Sequence, residues 1–422
     1  MPSTRSILRS FWTSHAALIH SILEFFDLIM DDKVVPELAV HDKIVAELTI
    51  LENVAKELLL VSNSSSLETA LEKLIELAKE EGERLDLSSK NVVTTVLHLC
   101  QSLSSISYRQ LLISSLKVLR NLCAGEIRNQ NEFLLQRGVE IVVDVITSVG
   151  LTPDPDCMII RVGLQLLGNY SVGGGERQCD VWYQLFPHKF LKIARVRSRE
   201  ICDPLCMVIY TCCDGTDGLL TDLCSEQGLP ILIEILRTAS AGYSVTILRD
   251  ICASDHLTSS KEESSKDVVD VLVSSGLIEF LLNLLRDLEP PTTIRKAMKQ
   301  YQIKEGTISS SFRCCPYQGF RRDIVSIIGN CAYRRRYVQD EIRDKNGILL
   351  LLQQCVIDED NPFLREWGVW CVRNLLEGNA ENQGAITDLE LQGTVDVAEL
   401  VRLGLRVEVD PVTRRTKLVN AS

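Results

Sequence analysis

The segment from Phe320 to Gln383 contains the same structural unit twice, and this repetition constrains the fold more than any other feature of the chain. In the first copy an apolar helix ends at Asn330, and a second helix ends at Gly347, where glycine can take the left-handed conformation of a helix C-cap. Residues 348–352 then form an unbroken apolar run, too short to cross a bilayer, which predicts a buried helix. The second copy ends its apolar helix at Asn374, so the register, 374 minus 330, is 44.

The same register extends towards the N-terminus. Gly347 follows Asn330 by 17 residues, since 347 minus 330 is 17. Gly138 follows Asn121 by the same interval, since 138 minus 121 is 17. Asn169 follows Asn121 by 48 residues, since 169 minus 121 is 48. Gly228 and Gly276 each open an apolar helix and are separated by the same interval, since 276 minus 228 is 48. A period of about 40 to 47 residues with two or three helices is typical of armadillo and HEAT arrays, whose units bury their apolar faces by stacking. The sequence therefore predicts an all-α, right-handed, armadillo/HEAT-like α-solenoid.

Segment composition divides this predicted solenoid into five parts. A solenoid needs no single large core, so one elongated domain fits the 422 residues. The predicted parts are irregular N-terminal helices (1–100), armadillo-like repeats (101–288), a linker or inserted helix (289–315), two C-terminal repeats (316–395) and a tail (396–422). In the tail, residues 405–419 alternate apolar and polar side chains around Asp410-Pro411, which predicts a short β-hairpin or an extended segment.

The N-terminal segment admits two interpretations. The stretch from Met1 to His20 resembles a mitochondrial transit segment in composition, since it includes Arg5 and Arg9 and no acidic residue precedes Glu24. We favour an amphipathic first helix that caps the solenoid, because the apolar pattern continues through Phe26 and Ile29 without a cleavage-like break. The sequence leaves open whether this is a targeting segment.

Charge and cysteine usage narrow the classes of partner. The formal net charge of −12 argues against nucleic acid or an anionic membrane as the principal partner, because affinity for phosphate depends on Lys and Arg. The 15 Cys lie largely in apolar helical segments and no secretory signal is visible, which favours reduced core cysteines over a disulfide framework. Neither paired C-x-x-C spacing nor a nearby His pair occurs, so no metal site is predicted.

No combination of residues predicts catalysis. The sequence has neither the G-x-S-x-G elbow nor a Cys-His signature that a hydrolase would need. The Gly173–Gly175 segment lacks the Gly-Lys-Ser/Thr of a phosphate loop, and the acidic Asp358–Asp360 lacks EF-hand spacing. We therefore predict a protein that is not an enzyme and has no catalytic, cofactor-binding or metal-binding residues.

The segment from Pro316 to Ile386 resembles the C-terminal domain of the ataxin-10 family, armadillo-like proteins of eukaryotes. Besides Asn330, the matching pieces are Val338-Gln339-Asp340, Cys355 to Asp358, Asn361-Pro362-Phe363, Glu366-Trp367, Arg373-Asn374-Leu375, Glu377-Gly378-Asn379 and Asn382-Gln383. Upstream, the resemblance is to armadillo repeats in general. The resemblance implies a cytoplasmic, non-enzymatic α-solenoid that acts through protein partners, with regulation of cytokinesis as its associated role.

Four Asn residues recur at one position of the repeated helix and form a predicted ladder: Asn121, Asn169, Asn330 and Asn374. Their amides either hold the backbone of an extended partner peptide, as in armadillo importins and catenins, or satisfy backbone carbonyls between repeats, which we favour. Trp370 lies four residues before Asn374, and this W-x-x-x-N spacing resembles the armadillo peptide-binding pair. We predict that Trp370, Arg373 and Asn374 form a local docking spot.

Other positions bear on how far such binding extends. The residues four positions before the remaining ladder Asn residues are Lys117, Gln165 and Ser326, so a full importin-like groove is not predicted. The arginines at 334–336, flanked by Tyr333 and Tyr337, would suit an acidic partner or RNA, although a solvated helix start is favoured.

By family resemblance, the leading interpretation is a scaffold or adaptor that binds other proteins in cytokinesis or cell-division signalling. The alternative is an importin-like receptor that takes peptides or cargo along the Asn-lined groove. The sequence leaves partners, pathway and oligomeric state open, and a homo-oligomer is compatible with it.

Overall fold

The computed structural model describes residues 64–103, 108–238, 242–254, 267–295, 313–391, 405–409 and 416–420. The predicted N-terminal cap or transit segment lies outside the described residues, as does most of the predicted linker at 289–315.

The described helices follow one another in a fixed order of long, short and apolar. They are α1 (Ser64–Leu77), α2 (Glu81–Ser88), α3 (Val92–Ser102), α4 (Arg109–Leu122), α5 (Ile127–Leu135), α6 (Gly138–Val145), α7 (Cys157–Ser171), α8 (Gly175–Leu185), α9 (His188–Ala194), α10 (Arg199–Cys213), α11 (Asp217–Cys224), α12 (Leu229–Thr238), α13 (Tyr243–Ser254), α14 (Val268–Ser274), α15 (Leu277–Asp287), α16 (Phe320–Ala332), α17 (Arg336–Asp344), α18 (Gly347–Leu352), α19 (Leu364–Leu376) and α20 (Ala380–Leu391). Every third helix from α1 onwards is the long one. This order already holds for residues 64–102, which the sequence analysis assigns to irregular N-terminal helices.

The chain divides into two compact units after Val196, with Thr211–Thr216 belonging to the first unit and Arg197–Tyr210 to the second. In the first unit α4 packs against α1 and α7, and in the second α16 packs against α13 and α19. Long helices therefore stack on long helices, so that neighbouring repeats bury the apolar face that a single repeat would leave exposed. The predicted all-α, armadillo-like repeat fold is confirmed.

Acidic side chains define where two of these helices begin. Asp156 Oδ1 accepts hydrogen bonds from the backbone N–H groups of Met158 and Ile159, at 3.1 and 3.2 Å, at the start of α7. Asp267 accepts one from the N–H of Val269, at 2.8 Å, at the start of α14. The first N–H groups of a helix lack intrahelical acceptors and carry partial positive charge, so a carboxylate stabilises them.

Two glycines between the short and apolar helices, Gly138 and Gly347, have a different role from the predicted one, whereas Gly276 before α15 is left-handed with φ of 97°. The left-handed residue before α18 is Asn346, with φ of 54°, whereas Gly347 is the first residue of the helix. A Cβ at Gly347 would lie 2.7 Å from the Ile342 side chain, and a Cβ at Gly138 would lie 2.5 Å from Phe133. The prediction that Gly347 supplies the left-handed C-cap is wrong: close approach of the two helices excludes a side chain there, and Asn tolerates the left-handed conformation.

The long segment between α15 and α16 leaves and rejoins the repeats at adjacent points. The backbone N–H of Glu289 donates to the carbonyl of Arg313 at 3.0 Å, and the N–H of Arg313 donates to the carbonyl of Asp287 at 2.8 Å. Buried Arg321 donates to the carbonyl of Glu289. With the ends of the segment held together, α15 can still pack against α16 in spite of the inserted residues.

The predicted C-terminal hairpin is present. Strands β1 (Leu405–Val409) and β2 (Thr416–Asn420) pair antiparallel, with Leu405 opposite Asn420 and Val409 opposite Thr416. The Asp410-Pro411 sequence lies between the two strands.

Across the described stretches, no single helix is long and apolar enough to span a membrane. The α14–α15 pair has the length and apolar composition of a membrane span only when both helices are taken together, and the chain bends by 65° between them.

Candidate protein-binding site

The four ladder Asn residues lie in the last turns of α4, α7, α16 and α19. Three of them donate a side-chain amide hydrogen to a backbone carbonyl of the preceding long helix: Asn121 to Ile75 at 3.2 Å, Asn169 to Arg120 at 2.9 Å and Asn374 to Gly329 at 3.0 Å. Each acceptor belongs to a last helical turn, where carbonyls lack an intrahelical partner. Asn330 occupies the equivalent place and is buried, and its side chain forms no hydrogen bond with other described residues.

These bonds use the Asn side chains to hold neighbouring repeats together. Asn374 is 1% exposed, so its amide is directed at the adjacent helix and not at solvent. Asn121 and Asn169 are half-buried, and each has committed one amide hydrogen to the preceding repeat. The geometry is that of a structural ladder, and binding of a partner peptide by these amides stays a prediction.

A second polar ladder was missed by the sequence analysis. One Gln follows each ladder Asn by nine residues: Gln130, Gln178, Gln339 and Gln383. The Nε2 of Gln339 donates to the carbonyls of Ala332 at 3.2 Å and Asn374 at 2.8 Å, and Gln130 makes the two equivalent bonds in the first unit. Gln130 and Gln339 therefore fasten the end of their own long helix to the end of the next. The nine-residue interval was visible in the sequence, but a Gln after a polar turn is ordinarily expected to face solvent.

Trp370 and Arg373 are the parts of the predicted docking spot that face solvent. Trp370 is 41% exposed, and the guanidinium carbon of Arg373 lies 5.1 Å from the centre of its ring, within the range of a cation–π attraction. Arg373 forms no ion pair with a carboxylate of the described residues. The structure thus brings Trp370 and Arg373 together on the surface and places Asn374 behind them, against α16.

Phe363 extends the same exposed surface and was not selected from the sequence. It is 68% exposed, and its backbone is left-handed, with φ of 66°, at the start of α19. That conformation costs a residue with a bulky side chain roughly 1–2 kcal/mol. Phe363 precedes Trp370 by seven residues, about two helical turns. Neither burial nor backbone preference accounts for an aromatic residue at this position. The exposed, strained Phe363 therefore points to recognition of a binding partner.

The arginine triplet before α17 is mainly used between repeats. Arg335 forms ion pairs with the two aspartates at the start of α14, at 2.6 and 3.1 Å. Arg336 pairs with Glu381, and Arg334 lies 5.0 Å from the ring centre of Tyr333. Because two of the three cations already have carboxylate partners, the structure favours stabilisation of the repeats over an acidic or RNA partner here.

The cysteines are reduced thiols, many of them in the helical core. Burial raises the pKa of the Cys100 thiol to about 12, and burial raises the pKa of Cys371 further. Such thiols stay protonated and unreactive at neutral pH. Within the described ranges, no three His, Cys, Asp or Glu side chains converge as they would around a metal ion.

Comparison with known proteins shows what this chain is similar to. Residues 320–418 match the family model described as the spinocerebellar ataxia type 10 protein domain. Ataxin-10 of Bos taurus is 25% identical over 81% of this chain and 87% of that protein, and the ataxin-10 homolog of Dictyostelium discoideum is 44% identical over 22% of this chain and 15% of that protein. The chain is thus similar to ataxin-10 over most of its length, and its C-terminal part is similar to the ataxin-10 domain. Among solved structures, a designed armadillo repeat protein is similar with a TM-score of 0.34 at 12% identity, over 78% of this chain and 98% of that chain.

Several residues that carry the ataxin-10 resemblance hold backbone groups in place. Asn361 is 2% exposed, and its Oδ1 accepts a hydrogen bond at 3.0 Å from the backbone N–H of the second residue of α16. Asn382 is fully buried and donates to the carbonyl of Leu375 at 2.9 Å. Phe363 and Arg373 differ from these two, since both belong to the ataxin-10 motif and both are exposed.

Proposed function

We propose that this protein belongs to the ataxin-10 family and is a non-enzymatic scaffold in the cytoplasm that binds other proteins and regulates cell division. One binding site is the exposed surface of α19 formed by Phe363, Val369, Trp370 and Arg373, here called the α19 surface. The observation that carries the proposal is the exposed Trp370 ring with the Arg373 guanidinium stacked on it.

The chemistry of the α19 surface suits a protein partner. Trp and Arg are enriched among the residues that dominate protein–protein binding energy. Val369 is 56% exposed and adds apolar area beside the Trp370 ring, while Arg373 offers planar N–H donors. A partner that places an apolar side chain against the ring and a carboxylate or carbonyl against the guanidinium would satisfy both groups.

An importin-like cargo groove has less support. Such a groove would repeat the aromatic–Asn pair, but the equivalents of Trp370 in the other three ladder repeats are Lys117, Gln165 and Ser326. Ser326 is also only 3% exposed. We therefore propose one local docking surface on α19 and not a continuous peptide groove.

The test compares partner sets by proximity labelling in cells, using the full chain and a variant that combines Trp370→Ala with Arg373→Ala. We expect the double variant to lose a subset of the labelled proteins. For a lost partner studied in purified form, removing a Trp anchor should raise the dissociation constant about 30-fold, equivalent to roughly 2 kcal/mol. Asn374 is left unchanged, because its buried amide supports the fold.

Leu135→Ala is the matched control, since Leu135 is 76% exposed and lies in the first unit, away from α19 along the chain. It should leave the labelled set unchanged. The proposed site fails if the double variant melts at the wild-type temperature and still labels every wild-type partner.

The cell-division role is tested separately. Cells that carry only the double variant should accumulate two nuclei, whereas cells with Leu135→Ala should divide normally. Normal division in the double variant, together with loss of its partners, would contradict the role in cytokinesis but leave the binding site standing.

A further inference from the structure

Three basic side chains lie on one face of α4 and α7 in the first unit: Lys117, Arg120 and Arg161, here called the basic cluster. Lys117 and Arg120 are three residues apart on α4 and so are neighbours on its surface. Arg120 Nη1 donates to Gln165 Oε1 at 2.9 Å. Gln165 follows Arg161 by four residues on α7, so Arg161 lies on the same side of that helix.

No carboxylate of the described residues forms an ion pair with any member of the basic cluster. Arg120 bonds only to neutral oxygens: besides Gln165, its Nη2 and Nε donate to Asn121 Oδ1 at 3.0 and 3.2 Å. Three of its five N–H donors are thus used, and two remain. Burial and the nearby charge of Arg161 both lower the pKa of Arg120. Glu72, exposed on the neighbouring α1, also forms no ion pair with the cluster.

Some other arginines on the long helices have carboxylate partners that the basic cluster lacks: Arg109 pairs with Asp156, and Arg249 pairs with Asp323 at 3.2 Å. Arg373 also has no carboxylate partner among the described residues, but it is exposed and stacks on the Trp370 ring. The chain has 57 acidic against 45 basic residues, so counter-charges are plentiful. Half-buried like charges without a counter-charge oppose folding, and packing does not require them. A ligand that supplies negative charge would remove this cost.

We infer that the basic cluster is a second docking site, separate from the α19 surface, and that it binds an acidic segment of a partner protein through Asp or Glu carboxylates. Three cations are too few to hold the many phosphates of a nucleic acid, and the net charge of −12 opposes a polyanion. An acidic peptide presents a few carboxylates locally and suits a small cluster better.

The spacing of the helices indicates what kind of segment fits. Helices that pack side by side lie about 8–10 Å apart. A polyproline II segment rises about 3.1 Å per residue and returns to the same face every third residue, so two carboxylates three positions apart span roughly 9 Å. One carboxylate would then lie beside Lys117 and Arg120, and the other beside Arg161.

The probe for the test is a fluorescein-labelled peptide that repeats Glu-Pro-Ser, with the Gln-Pro-Ser peptide as its uncharged match. Fluorescence anisotropy of the full chain should show saturable binding of the Glu peptide only, weakened by added salt. Combining Lys117→Gln with Arg161→Gln should raise the dissociation constant about tenfold. Arg120 is not changed, because it contacts the ladder at Asn121.

The control variant combines Arg128→Gln with Lys192→Gln, which removes the same charge from exposed positions of the first unit. It should bind the Glu peptide as the wild type does, and so should the α19 double variant. The inference is overturned if the Glu peptide shows no saturable binding, or if the cluster and control variants weaken it equally. An oligothymidylate that binds more tightly than the Glu peptide, and loses affinity in the cluster variant, would assign the site to nucleic acid and also overturn it.

Discussion

Replacing Gln339 with leucine removes the hydrogen bonds of the Gln ladder while nearly preserving side-chain volume. Gln339 is 1% exposed. Its amide nitrogen donates to the carbonyls of Ala332, Asn374 and Glu377, at 3.2, 2.8 and 3.2 Å, and its oxygen accepts a bond from Asn379 at 3.2 Å. Leucine fills the space but offers no donor or acceptor. The carbonyl of Asn374 therefore loses this donor, and the carbonyl of Ala332 keeps only the 3.4 Å bond from the backbone N–H of Arg335.

The expected cost follows from these bonds. The Gln339 side chain has two amide hydrogens and one oxygen to pair, so a net contribution of about 1 kcal/mol for each of these three groups gives a loss of roughly 3 kcal/mol in the free energy of unfolding. Gln383→Leu is the matched control, because Gln383 holds the equivalent repeat position but is exposed, and among the described residues its side chain donates only to the carbonyl of Leu376, at 2.8 Å. An exposed group recovers its hydrogen bond from water, so this substitution should cost less than about 1 kcal/mol.

Hydrogen exchange measured by mass spectrometry is the suitable assay, because it resolves stability by segment in a chain with two compact units. Amides of α17 and α19 should exchange about 100-fold faster in Gln339→Leu, as a loss near 3 kcal/mol requires. Peptides from α4 in the first unit serve as an internal reference. Equal effects of Gln339→Leu and Gln383→Leu, or wild-type protection in both, would refute the reasoning.

Two further predictions concern Asp156 and Phe363. Burial raises the pKa of Asp156, but hydrogen bonds from Arg109 and from the first N–H groups of α7 outweigh it, so the pKa lies below its ordinary value. The carboxylate therefore stabilises the fold above about pH 4 and loses this effect as the pH falls through the folded-state pKa. Asp156→Asn should cost more stability at pH 7 than at pH 3 in urea unfolding, and a cost independent of pH would contradict this. Phe363→Gly should preserve the free energy of unfolding or raise it by about 1 kcal/mol, because glycine relieves the left-handed strain. The same substitution should weaken binding at the α19 surface. A clear drop in the thermal midpoint of unfolding would show instead that Phe363 packs in the fold.

The periodic features of the sequence were sufficient to predict the architecture. The recurring Asn residues mark one position of the repeated long helix, and the alternation after residue 404 marks the hairpin. The W-x-x-x-N spacing predicted a docking spot that includes Trp370 and Asn374; Trp370 is exposed and Asn374 is buried, and binding there stays a prediction. The repeat and the hairpin could be predicted because helical and strand periods depend on local backbone geometry.

Only the tertiary structure decided which groups those residues meet. Asn374 donates to the carbonyl of Gly329, far earlier in the chain, and the basic cluster joins Arg120 on α4 to Arg161 on α7. The left-handed residue proved to be Asn346 because Gly347 is needed where two helices approach. Sequence spacing determines the face of a helix on which a side chain lies, but the stacking of repeats determines the opposing atom, and that atom decides whether an amide binds a partner or holds the fold together.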